Sequence, residues 1–512
     1  MRARSWLRRL GLAGALAATW APAQAQKAQD TLRIVWWDQI ANINPYYNQL
    51  RAGLVVAHHA FDTLVHRDPD SFVIKPLLAV SWKAIDDTTL ELDLRRGVKF
   101  HDGSPFSADD VIYTINTVLT DRQIAVPANF AWIAGADRID EYKVRLRFRR
   151  VFPAAMEYMA MALPILPKVY RERVGQAAYD RQPVGTGPYR ITRVDGGTEI
   201  DLERFEDYFP DSPKGRPAIR RLRIHQVADP ATAQSELLGD KADWTWNLPP
   251  DDVDRLGLLP HLQTTRAETM RVNFLMFDAA GRTGAGNPMT KVKVRQAIAH
   301  AIDRQAIAKN IMQGGSRAID TPCFPTQFGC DPSVAVRYAY DPARARALLA
   351  EAGYPDGFRT EMISYLLPQF EAPVQGYLKA VGIDARLVHL QTEAALRRNL
   401  EGGNPLYLAN WGSYSINDVS AFLPQFFSAG TEGFSDNDNT RDPELKRLVE
   451  QGGASTNADE RRRYYAAAIR LITEQMYFLP IMTSVQSYAA RREVSFRAYP
   501  DEIPRFYLTS WR

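Results

Sequence analysis

Arg95 to Val118 reads RRGVKFHDGSPFSADDVIYTINTV, and a tight turn followed at once by a capped helix can be read directly from it. Asp102-Gly103 ahead of Pro105 is turn chemistry, because glycine accepts positive φ and proline holds its own φ at about −65°. Ser107 is placed to accept from the first-turn amides, and Asp109 and Asp110 sit at the positive end of the helix dipole. Ser107-x-x-Asp110 approximates a capping box. Val111, Ile112, Ile115, Val118 and Leu119 then form one apolar stripe at helical spacing. Taken alone, the stretch describes a well-started helix in any soluble protein.

Outside it, strand and helix patterns alternate along the chain. Thr31 to Trp37, Leu90 to Leu94 and Arg271 to Phe277 read as strands. A helix begins at Asp341 as N-cap with Pro342 in its first position and stops at Gly353. No internal repeat or low-complexity tract is evident, and 512 residues exceed one ordinary core, so two or three domains are expected.

Residues 1–25 read as a secretory leader. Arg2, Arg4, Arg8 and Arg9 form a basic start, Leu10 to Ala21 a short apolar run, and Ala23-Gln24-Ala25 a small-residue cleavage site. The apolar run is too short to span a bilayer and no cysteine follows it for a lipid anchor, so the expectation is a soluble periplasmic protein and not a lipoprotein. The later apolar stretch Phe152 to Pro167 is broken by Pro153, Glu157 and Pro164, so the chain is not expected to be membrane-embedded.

The formal net charge of +4 invites a nucleic-acid reading, but the leader holds four arginines and no acid. Without it, 59 basic residues face 59 acidic ones, and no nucleic-acid partner is expected. Lys143, Arg145, Arg147 and Arg149 alternate with apolar residues as one solvated strand face. Cys323 and Cys330 remain in an exported chain, where a disulfide closing a small loop is expected. Metal binding by this pair is disfavoured, since the spacing is not C-x-x-C and no histidine lies within the loop.

The opening stretch, preceded by LAVSWKAIDD from Leu78, resembles the signature of the bacterial extracellular solute-binding protein family 5, which includes the periplasmic dipeptide- and oligopeptide-binding proteins of ABC importers. PVGTGPY (Pro183 to Tyr189), VRQAIAHAIDRQAI (Val294 to Ile307), YDPARARALLAEAGYPDGF (Tyr340 to Phe358) and a late helix from Ala458 to Pro480 ending in FLP follow in the family's order. The resemblance implies an α/β, two-lobed (Venus-flytrap) periplasmic binding fold with an extra subdomain inserted in lobe I. On that template residues 26–56 begin lobe I, 57–184 form the inserted subdomain, 185–269 continue lobe I, 270–482 form lobe II, and 483–512 return to lobe I. The crossings fall near Arg271 and Pro480. A monomer is implied, delivering a peptide or peptide-like solute to an ABC permease whose partner subunits hydrolyse ATP. A ligand-presenting sensor and a binder of opine, sugar, metal chelate or haem are the alternatives.

No H-E-x-x-H, G-x-S-x-G or G-x-x-x-x-G-K-[ST] motif occurs, so neither catalytic residues, nor a metal, nor a cofactor is assigned. Adjacent His58 and His59 point to different helix faces, which is poor metal geometry. Asp436-x-Asp438-x-Thr440 lacks the glycine and glutamate of a calcium loop and reads as a polar loop.

Binding is the better-supported chemistry, because a cleft between lobes encloses a solute with aromatic walls and a few polar groups. Tyr46, Trp246, Trp411 and Tyr414 are aromatic candidates, each of which core packing would also explain. Asn410, Trp411, Gly412, Ser413, Tyr414 and Asp418 lie in NWGSYSIND, which carries the specificity question. In peptide-binding relatives an aspartate after the tryptophan holds the peptide's α-amino group, and aligning on Trp411 puts Tyr414 in its place. Either Asp418 or Asp38 then serves, or the ligand lacks a free α-amino group, since an unpaired buried ammonium is costly. Tyr414 could stack on a ring or donate to a carbonyl. Arg271 offers a fork for a carboxylate, and Asn273 shares its strand face, either in the cleft or ordering the hinge.

Overall fold

The computed structural model describes residues 30–512, apart from 39, 41, 49, 50, 197, 312–314 and 431–436 and the side chain of Tyr414. The leader residues 1–25 lie outside the described residues. A ten-stranded sheet runs through both lobes in the order Ile383–His389, Phe358–Ser364, Leu406–Trp411, Leu262–Phe277, Phe478–Arg491, Trp244–Trp246, Thr31–Trp36, Arg221–Gln226, Glu199–Arg204, Tyr189–Asp195. At its centre the two longest strands, Leu262–Phe277 and Phe478–Arg491, pair antiparallel and join the two halves. Their ladder slips between Glu268 and Val272, so that Thr269, Met270 and Arg271 form a bulge at the junction. The fold is two-lobed α/β with a subdomain whose own four-stranded sheet pairs Ala79–Asp86, Thr89–Leu94, Lys143–Phe148 and Ile133–Asp140. Among the described residues no helix is long and apolar enough to cross a membrane.

Local chemistry explains the elements read from sequence. Helix Ala108–Thr120 starts on the Ser107 capping box: the Asp109 amide donates to Ser107 Oγ (3.3 Å), and the Ser107 amide to Asp110 Oδ2 (2.9 Å). Helix Pro342–Glu351 starts as expected, with the Arg344 amide donating to the Asp341 side chain at 2.9 Å. The late helix differs from the expectation. It spans Ala458–Glu474 and is capped by Gln475, whose amide returns to Leu471 and Thr473. The FLP segment instead opens the strand Phe478–Arg491, a buried apolar run that the sheet centre takes up.

Lys143 and Arg145 pair with Glu91, Lys143 also with Asp93, and Arg147 with Asp137 along the subdomain sheet. Cys323 and Cys330 form the expected disulfide. Its loop is stitched to the segment after Trp411: Gln327 Nε2 donates to the Ile416 carbonyl (2.8 Å), the Phe328 amide to Asn417 O (3.1 Å) and the Val419 amide to Phe328 O (3.1 Å).

Candidate functional site

A cavity of about 250 Å³ lies between the lobes. Tyr46, Phe61, Phe130 and Met161, from the N-terminal third of the chain, supply apolar walls, and Trp411 and Ile416, from its later part, close it. Tyr46 is fixed because its hydroxyl donates to the Pro164 carbonyl, its ring meets Phe130 edge-on at 5.5 Å, and its amide donates to Asn44 Oδ1 (3.1 Å). Helix Arg51–Ala60 sends Arg51, Leu54 and His58 into the cavity from one face.

The charged groups are organised around Glu502. Arg271 donates to it through Nε and Nη2, both at 3.0 Å, and Arg51 through Nη2 at 2.9 Å. Thr269 Oγ1 adds a fourth bond at 2.9 Å. The strand bulge thus delivers two donors, from Thr269 and Arg271, to one carboxylate. Burial alone would raise the Glu502 pKa, but Arg271 and Arg51 outweigh it and hold the carboxyl down at about 2. Gly412 makes room for this arrangement, since a Cβ there would stand 3.2 Å from Arg271 Nη2.

Lys214 also reaches the cavity but is engaged by Asp62 at 2.8 Å and by the carbonyls of His58 and Phe61. Burial, reinforced by Lys214 and Arg505, pushes the His58 pKa well below its ordinary value, so its imidazole is neutral.

Beside the cavity, the segment after Trp411 is latched to distant parts of the chain by a buried network. Arg51 donates to Ser415 Oγ, and Ser415 Oγ to the Asp501 carbonyl at 2.7 Å. Arg67 donates to the Ser415 carbonyl, to Glu157 Oε2 (2.8 Å) and to Asp501 Oδ2 (2.7 Å), while the Asn417 amide donates to the same Glu157 oxygen at 3.0 Å. Ser413, Ser415 and Glu502 hold φ of 50°, 63° and 61°, a left-handed conformation uncommon for such residues and clustered at this junction.

Of the residues singled out from sequence, Tyr46, Arg271, Trp411 and Gly412 meet at the cavity. Asn410 stands behind them, its Oδ1 accepting from Arg271 Nη1 at 3.1 Å. Asn273 donates to Ser484 Oγ (2.8 Å) and so ties together the two central strands. Ser413 is buried in the turn after Gly412. Asp418 does not face the cavity. Arg461 Nη2 binds both its oxygens at 2.9 and 2.8 Å, and the Ser420 amide caps on it, which leaves no place for a solute ammonium. Asp38 is likewise outside the lining, and Trp246 packs in the lobe I core, stacked on Trp36 at 5.3 Å. The side chain of Tyr414 lies outside the described residues.

Sequence reading misses Arg51, Lys214, Ser415 and Glu502, and weighs His58 only as a metal ligand. A signal exists for Arg51 and His58: polar residues seven apart on the largely apolar RAGLVVAHHA point to a helix facing something other than core. Nothing local marks Glu502, which arrives from the far end of the chain.

A two-lobed fold closing on an interlobe cavity defines a binding protein of the solute-capturing class. The chain belongs to the bacterial extracellular solute-binding proteins, family 5: the family model "Bacterial extracellular solute-binding proteins, family 5 Middle" matches residues 73–434. It is 26% identical over 491 residues to the di/tripeptide-binding protein 1 of Pseudomonas aeruginosa, covering 89% of each chain. It is 25% identical to the heme-binding protein A of Haemophilus influenzae, covering 84% of this chain and 82% of that one. The solved dipeptide binding protein of a Pseudoalteromonas strain, in complex with Met-Leu, superposes with a TM-score of 0.79 at 22% identity, over 94% of this chain and 100% of that chain.

Proposed function

We propose that the protein captures a small peptide-like solute in the interlobe cavity of the periplasm and delivers it, as a monomer, to the permease of an ABC importer. The observation that carries this reading is the latch: Ser415 and Asn417 bond to Arg51, Arg67, Glu157 and Asp501, bonds that parting the two sides of the cavity would break. A solute touching both lobes has higher affinity for the closed form and shifts the population toward it by that difference. The closed surface is then what a permease reads, while ATP is hydrolysed by partner subunits. The names of the relatives support solute binding without fixing the solute, since they include peptide and haem binders.

The test combines X-ray scattering with calorimetry over peptide and small-solute libraries. Compaction upon saturable binding is expected. Scattering curves unchanged by every tight binder would refute the closure mechanism, and turnover of a bound solute would replace capture by catalysis.

A further inference from the structure

Among the described residues, the cavity's positive charge exceeds its negative charge by one unit. Arg51 and Arg271 share a single carboxylate, and their side chains are 21% and 31% exposed against 9% for Glu502, so a solute meets two guanidiniums with the anion behind them. Lys214 adds nothing, because Asp62 balances it. His58 adds nothing, because it is neutral. Among the described residues no aspartate or glutamate lines the cavity.

We infer that the solute is a small organic anion without a free ammonium group, its carboxylate seated on Arg51 and Arg271 and its apolar part against Tyr46, Phe130 and Trp411. The inference rests on the solute-capture reading above and names the chemical class for that same site. Glu502 takes the Nε and Nη2 edge of Arg271 and Asn410 accepts from its Nη1, so a solute carboxylate shares the remaining outward N–H groups of the two guanidiniums, whereas an ammonium beside two cations whose one shared acid lies behind them would be repelled and desolvated together. The bare backbone of Gly412 leaves Arg271 Nη2 uncrowded.

Calorimetry and scattering with three matched probes test this: an N-acetyl dipeptide (anion), the free dipeptide (zwitterion) and the dipeptide amide (cation). Native mass spectrometry of protein taken from its own periplasm runs alongside. The N-acetyl probe is expected to bind and compact the protein at least about tenfold more tightly than the amide, a charged hydrogen bond's worth. The co-purified solute is expected to be an anion. Arg271→Gln leaves Glu502 balanced by Arg51, so the fold is retained, and it should cost the anionic probe about tenfold while leaving the amide unchanged. Arg271→Lys should restore part of the loss. Equal or tighter binding of the amide, a cationic co-purified solute, or an Arg271→Gln variant with undiminished anion affinity overturns the inference while leaving solute capture intact. No solute bound and no compaction in any arm removes both.

Discussion

His101 and Gly185 hold each other in both directions: the His101 amide donates to the Gly185 carbonyl at 2.9 Å, and the Gly185 amide donates to His101 Nδ1 at 3.3 Å. The ring's other nitrogen, Nε2, donates to the Gly187 carbonyl at 2.9 Å. The turn of RRGVKFHDGSP and the segment PVGTGPY are therefore one piece of structure, joined by an imidazole that works only when neutral.

That requirement predicts acid sensitivity. Burial, partly opposed by the Gly187 carbonyl, depresses the His101 pKa to about 4. The folded value lies below the ordinary 6.5, so the associated stability is complete above pH 6.5 and is lost as pH falls from there through 4. The full effect is on the order of 3 kcal/mol. His59 and His66, each depressed to about 3 by burial, act in the same direction. Urea titrations at pH 7.5 and pH 4 should show a smaller pH difference for His101→Asn than for the parent; an unchanged difference would remove His101 as a source.

Gly185 and Gly187 pass close to the end of helix Arg51–Ala60. A Cβ on Gly185 would lie 2.2 Å from the Ala60 carbonyl oxygen, and one on Gly187 2.5 Å from the His59 carbonyl oxygen. Backbone cannot yield as a side chain can, so alanine at either position should destabilise the protein by about 3 kcal/mol. Thermal unfolding reads this directly, with Gly286→Ala, which meets nothing within 4 Å, as the control.

The disulfide loop braces the segment that closes the cavity, through Gln327 to Ile416 and Phe328 to Asn417 and Val419. Replacing both cysteines by serine should cost about 2.5 kcal/mol in the chain-entropy account. It should also weaken solute affinity, because Ile416 and Asn417 then sample positions away from the latch. Gln327→Ala separates the two effects: with the disulfide intact, it should lower affinity more than melting temperature. The reverse pattern would show the loop to be a staple only.

Glu157 accepts from both Arg67 and the Asn417 amide and so spans the closed seam. Glu157→Gln keeps its size and removes its charge. The closed form should lose about 1.5 kcal/mol, roughly a tenfold drop in the closed-to-open ratio at fixed solute. Small-angle scattering through a solute titration measures it as a rightward shift of the compaction curve.

Wherever one segment carries its own reason, the sequence was a good guide. Ser107 and Asp341 cap helices because the bonds they make reach only three residues. Arg271 to Phe274 alternates as a strand should and the run on to Phe277 is buried throughout, yet the same strand begins nine residues earlier at Leu262, in a polar stretch whose partner, Arg491, lies near the far end of the chain. The site divides in the same manner. Trp411 and Gly412 are recognisable from their place after a strand, but the meaning of Arg271 depends on Glu502, and that of Asp418 on Arg461. Both partners are distant in sequence and leave no local trace.

The bulge at Thr269 to Arg271 has a mechanical consequence. The ladder between the two joining strands is interrupted over these residues, and the bonds freed there go elsewhere: the Met270 amide donates to the Pro500 carbonyl at 2.9 Å, and the side chains of Thr269 and Arg271 to Glu502. The strand junction and the segment carrying Glu502 are thus one mechanical unit, and neither can shift without the other.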